Sequence, residues 1–91
     1  MDFEWDETKR LSNIAKHRVD FRLAVFVFDG PMVLEPDLRR DYGEQRFRAT
    51  GYVDQDCFVV VHTRRGDVIR LISAWRGGRD DRGKHQALYP G

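Results

Sequence analysis

The sequence has one cysteine, three prolines and only three lysines among its sixteen basic residues. A lone cysteine cannot form an internal disulfide, and Cys57 stands in the apolar run CFVVV, where it fits as a small buried hydrophobe. Disulfide scaffolds and cysteine-based zinc sites are thereby excluded, and a reducing cytoplasm is the expected compartment. No run approaches the roughly 18 apolar residues of a membrane span. The opening MDFEWDETK lacks the basic-then-apolar layout of a secretory signal. His17, His62 and His85 include no i, i+4 pair, so no metal site is expected. A glycine-rich phosphate loop and a nucleophile–base signature are missing too, and no cofactor is expected.

What is present fits one domain over residues 1–91, with 41% hydrophobic and 34% charged side chains to build a core and a solvated surface. The net charge of +1 is unevenly spread. Residues 1–37 hold five basic and eight acidic side chains, whereas residues 64–91 hold seven and three. Thirteen of the basic residues are arginine, whose planar fork of donors matches phosphate bidentately. A GC-rich genome would also enrich arginine, but clustering of the surplus at one end favours a nucleic-acid partner.

The periodicity predicts an α+β chain. Phe3–Trp5 read as a short extended piece. Asp6 is a suitable N-cap for an amphipathic helix over 7–17, with Leu11, Ile14 and Ala15 at helical spacing and Lys16 and His17 at its end. A second helix is expected over about 20–28, from Phe21, Ala24, Val25 and Phe28 at i, i+3, i+4 and i+7. Asp29-Gly30-Pro31 break it, and Met32–Leu34 form a short strand. Residues 35–43 read as a polar loop. Strand-like runs follow over 44–54, 57–64 and 68–75, joined by hairpin-length linkers. The tail from Arg76 reads as a weak helix, since Gly77, Gly78 and Gly83 each cost up to about 1 kcal/mol relative to alanine. The expected architecture is two N-terminal helices, an antiparallel sheet of about four strands and a short C-terminal helix.

The segments FEWDETK, Asn13, Lys16-His17, VFDGP at 27–31, YGEQRF at 42–47 and VIRLISAW at 68–75, in that order, resemble the BrnT toxins. The resemblance covers about residues 3–76. It implies a RelE-like fold and a cytoplasmic ribonuclease toxin of a type II toxin–antitoxin system. It also implies neutralisation by a BrnA-like antitoxin in a 2:2 heterotetramer, with DNA contacted only through the antitoxin. Three positions depart from the family pattern. Arg18 stands where glycine usually follows the lysine–histidine pair, Trp75 where arginine usually follows Ile72-Ser73-Ala74, and RGGRDDRGKHQ where the tail is usually rich in alanine, glutamate and lysine.

Metal-free RNA cleavage needs a base for the 2′-OH, cations for the charge building on the phosphoryl oxygens, and an acid for the leaving 5′-oxygen. Candidate bases are Glu44, His17, His62 and His85, with His62 read chiefly as a packed residue. Alternation along 44–54 sets Glu44, Arg46 and Arg48 on one face, either a base beside a phosphate clamp or a solvated ion-paired edge. Resemblance to the family's GExRF-like segment favours Arg46, and His17 matches the family's histidine. Arg76 and Arg79 fall where the family carries basic C-terminal residues, and a helical tail would stack them on one face. The candidate catalytic residues are thus Glu44, Arg46, Arg76, Arg79 and His17, with Lys16, Arg48, Arg64 and Arg70 binding RNA. Arg70, in an apolar strand, alternatively pairs with Glu4 or Glu44. A rival reading is a catalytically silent protein-binding module in which Trp75 and the glycines have disabled the site.

Overall fold

The computed structural model describes residues 1–91. Strand β1 (Asp2–Glu4) leads into α1 (Glu7–His17), and a single turn of helix, α2 (Phe21–Ala24), continues as a 3-10 segment over Val25–Asp29. Strands β2 (Met32–Pro36), β3 (Phe47–Val53), β4 (Asp56–Arg65) and β5 (Val68–Arg76) follow, and α3 (Arg79–Leu88) closes the chain. The sheet order is β1-β5-β4-β3-β2. Strand β1 runs parallel to β5, with Phe3 opposite Ile69. The other pairings are antiparallel.

The α+β class stands, but the expected RelE-like arrangement of two N-terminal helices and about four antiparallel strands is corrected. The sheet has five strands and is mixed. The extended piece at the start is itself a strand, docked on the last strand of the sheet. The second helix keeps one α-helical turn because its buried residues recur every three positions. Phe21, Ala24 and Val27 are all fully buried, and a spacing of three superposes side chains in a 3-10 helix rather than in an α-helix. Leu23 and Phe26 lie exposed on its other side.

Helix α1 begins as its cap residue dictates. The Asp6 carboxylate accepts hydrogen bonds from Thr8 N at 2.8 Å and Lys9 N at 3.2 Å. The helix ends at Arg18, which takes the left-handed conformation with φ 61° and ψ 29° and donates its N–H to Ile14 O at 2.9 Å. The chain therefore keeps the left-handed ending without the glycine that favours it. Arg18→Gly is expected to raise the unfolding free energy by about 1 kcal/mol, read as a higher urea midpoint at unchanged slope.

Helix α1 runs along the edge of β5 beyond the reach of β1, where Asn13 takes the place of a strand. Its Nδ2 donates to Val19 O and Ala74 O, both at 2.8 Å. Its Oδ1 accepts from Ala74 N at 3.1 Å and Ser73 Oγ at 3.3 Å. The principal core lies on one face of the sheet, where Phe21, Val27 and Phe28 meet Phe58, Val60, Ile69 and Leu71. On the other face α3 packs over β2, β3 and β4. Gly77 makes that approach possible: a Cβ there would stand 2.6 Å from Cys57 Sγ. Gly78 caps α3, donating its N–H to Asp81 Oδ2 at 2.9 Å. Two of the three tail glycines thus precede the helix rather than weaken it.

Candidate functional site

The connection between β2 and β3 is irregular but well tied. Asp37 N donates to Arg46 O at 2.7 Å, and Thr63 Oγ1 donates to Gln45 O at 2.6 Å. At its centre the buried Asp37 carboxylate accepts from Arg39 Nε at 2.7 Å, Arg39 Nη2 at 2.8 Å and Tyr42 OH at 3.3 Å. The Arg39 guanidinium outweighs the cost of burial and holds the Asp37 carboxyl at about 2. The same bonds raise the basicity of Arg39. The Tyr42 ring in turn supports two cations, Arg46 at 4.0 Å and Arg40 at 5.9 Å from its centroid. One buried carboxylate thereby organises Arg39 and, through Tyr42, Arg40 and Arg46.

Facing this loop, the end of α1 carries Lys16 and His17 over β5. A bulge opposite Val61 and His62 leaves Ile72 without a partner in the register, so the consecutive residues Ile72 and Ser73 both line the same open groove. Lys16, Arg39, Arg40, Tyr42 and Arg46 form its walls. It continues over His17 and Trp75, whose rings lie 6.0 Å apart. The Arg39 guanidinium stands 5.3 Å over the Trp75 ring. The ion pairs of the molecule include neither Lys16 nor Arg40, so the groove carries surplus positive charge.

Among the residues expected at a site, Lys16, His17 and Arg46 converge on this groove. Arg48 lies one step further along the same face of β3, its Nε enclosed without a hydrogen-bond partner. Glu44 stands behind Arg46, 3.2 Å from its Nε and 3.9 Å from Arg65, lining an adjoining hollow that shares Arg40, Tyr42 and Arg46 with the groove. Arg76 is the last residue of β5 and does not share a helix face with Arg79. Its guanidinium lies 5.3 Å over Phe58, on the core side of the sheet, and pairs with Asp56 at 3.4 Å. Arg79 is exposed in the first turn of α3. Arg64 is exposed near the hairpin end of β4. Arg70 pairs with Glu4 at 2.7 Å, one of the two carboxylates the sequence offered.

The remaining histidines are packed. His62 is buried edge-on to Phe28, with Nδ1 3.1 Å from Val60 O, and burial pushes its pKa down toward the neutral form. His85 lies against Tyr52 and Tyr89. Sequence reasoning missed Arg39 and Arg40, which sat in a stretch read as a polar loop, and took Tyr42 only as part of the family-resembling segment at 42–47. Trp75 was visible solely as a departure from a family pattern. A further signal in that loop is the compact DLRRDY at 37–42, in which an acidic residue stands two positions before an arginine, at the reach of a local ion pair.

The fold is thus a small α+β frame that presents a cationic groove with aromatic side chains, chemistry that suits phosphate groups. Residues 5–80 match the family described as ribonuclease toxin, BrnT, of type II toxin-antitoxin system. The chain belongs to that family, and membership implies an antitoxin as its protein partner. No curated protein matches the chain. The family match takes in every groove residue and stops in the first turn of α3, so most of the divergent tail lies beyond it. No helix is long and apolar enough to cross a membrane.

Proposed function

We propose that the chain is a metal-independent RNA endonuclease, acting as one domain in the cytoplasm to inhibit translation and growth until a cognate antitoxin binds it in a 2:2 complex. The observation that supports this reading is the convergence of Lys16, Arg39, Arg40 and Arg46 on one open groove beside His17. In the proposed reaction the ribose 2′-oxygen attacks the adjacent phosphorus and gives its proton to a base, for which His17 is the groove's own candidate. The bond from phosphorus to the 5′-oxygen breaks, and that oxygen takes up a proton. The products are a 2′,3′-cyclic phosphate and a 5′-hydroxyl end. Lys16, Arg39 and Arg46 stabilise the charge developing on the non-bridging oxygens. Metal independence belongs to the same proposal, in which the cations of the groove's own walls supply the positive charge.

Arg48 extends the cationic surface along β3. Glu44 acts by steadying Arg46, whereas Arg64, Arg70, Arg76 and Arg79 lie outside the groove and contribute to RNA binding only at longer range. The rival reading, a silent binding module, draws on the engagement of Glu44 by Arg46 and Arg65.

Expression from a tight inducible promoter without antitoxin, with genome-wide mapping of new RNA 5′ ends, tests the proposal. Growth arrest with discrete 5′-hydroxyl ends is expected. Lys16→Ala and Arg46→Ala should each slow cleavage by about 10²–10³-fold, the usual loss for one charge-stabilising donor. Cleavage that needs a divalent metal or leaves 3′-hydroxyl ends overturns the mechanism. Normal growth of a soluble, well-expressed chain with no new ends establishes the silent module.

A further inference from the structure

Trp75 is the one large aromatic at the open end of the groove, and its neighbours give it a defined setting. The residue is half-buried, lies against His17 and stands beneath the Arg39 guanidinium. Lys16 and Ser73 complete the wall around it. It lies outside the principal core. Trp75 pairs with Val59 on the sheet face opposite the principal core, whereas Trp5 packs edge-on against buried Phe21, with centroids 6.2 Å apart. A flat π surface flanked by phosphate-binding cations is the arrangement that holds single-stranded nucleic acid, because every base offers a π face whatever its identity. A base paired within a duplex keeps its faces inside the stack and cannot use such a surface.

We infer that Trp75 is a stacking platform for an unpaired nucleobase, with the flanking phosphates held by Lys16, Arg39 and Arg46, so that the groove selects single-stranded RNA. The inference rests on the ribonuclease reading and adds a substrate class and a specificity-determining residue to it. Arg39 stays tied to Asp37 while its guanidinium shares the indole with the base. An indole here adds an aromatic face that the surrounding cations do not supply. Trp75 therefore shifts recognition from phosphate alone toward base stacking.

The test uses the full chain with Trp5→Phe, which leaves Trp75 as the sole tryptophan, and a 2′-O-methyl oligoribonucleotide, which 2′-OH attack cannot cleave. The single strand is expected to quench Trp75 emission saturably, and a duplex of the same sequence is not. In the unmodified background, Trp75→Leu keeps apolar bulk without a π face and should weaken single-strand binding by about tenfold or more. Trp75→Phe should restore most of that loss, which separates stacking from a folding defect. Binding without quenching, with Trp75→Leu unchanged in affinity, overturns the platform and leaves the ribonuclease reading intact. No binding by any single strand, together with no new 5′ ends in cells, overturns both.

Discussion

Asn13→Ala is expected to lower the unfolding free energy by about 3–5 kcal/mol, a large part of the roughly 5–14 kcal/mol typical of a chain this long. The side chain is 6% exposed and occupies four polar partners at once. Truncation leaves Ala74 N–H, Ala74 O and Val19 O without them. Each buried group so orphaned costs about 1–3 kcal/mol, reduced where water reaches the opened edge. Urea unfolding followed by circular dichroism reads the loss. Asn13→Asp makes the experiment sharper. An aspartate keeps the two acceptor contacts, to Ala74 N and Ser73 Oγ, but sets a carboxylate against the two carbonyls that the amide had served. It should be about as damaging as alanine at neutral pH and less so in acid, where a protonated carboxyl donates once. Equal stability of Asn13→Ala and the parent chain would mean that the edge of β5 is closed by something other than this amide.

The second large effect concerns the loop. Asp37→Asn should cost about 1–2 kcal/mol of stability near neutral pH, discounted for the half-exposed Arg39 side chain. It should also reduce RNA cleavage by about tenfold, on the same footing as other lost positioning contacts. The pH dependence has a definite sign. Folding holds the Asp37 carboxyl at about 2, against about 4 in an unfolded chain. Its contribution is therefore fully present above about pH 4 and lost as the pH falls toward about 2. The stability gap between the parent chain and Asp37→Asn should be constant from pH 7 to about 4 and close below that. A gap that persists unchanged at about pH 2 would show that the ion pair is not its source.

How much of this was legible varied with the kind of signal. Helix α1 was expected over 7–17 and is found there, because a cap residue, a dipole-matched charge pattern and a helical period all agree. Strands β4 and β5 were expected over 57–64 and 68–75 and run over Asp56–Arg65 and Val68–Arg76. Strand β3 was read three residues too early, because Glu44–Arg46 are held by the loop that begins at Asp37 rather than by a neighbouring strand. The parallel pairing of β1 with β5 left no local trace. Three residues are too few to show a period, and their partner lies more than sixty positions away.

The candidate groove follows the same division. Lys16, His17 and Arg46 carry the right chemistry on elements that the sequence placed. Arg39, Arg40 and Tyr42 acquire their positions only from a buried carboxylate, which pattern alone does not reveal. Arg76 shows the opposite case. Strand alternation already sets it on the other face from Trp75, and the helical reading of the tail hid that fact.

The groove draws on the end of α1, the loop after β2 and the middle of the last strand, and this bears on how the protein is made. While the chain grows on a ribosome, β1 has no partner and Asn13 has no strand edge to close until β5 has emerged. Lys16 and Arg46 therefore cannot face each other across Ser73 until the residues of β5 have been synthesised. The arginine-lined surface is thus a late product of synthesis, formed only once the strand that carries Ser73 and Trp75 has joined the sheet.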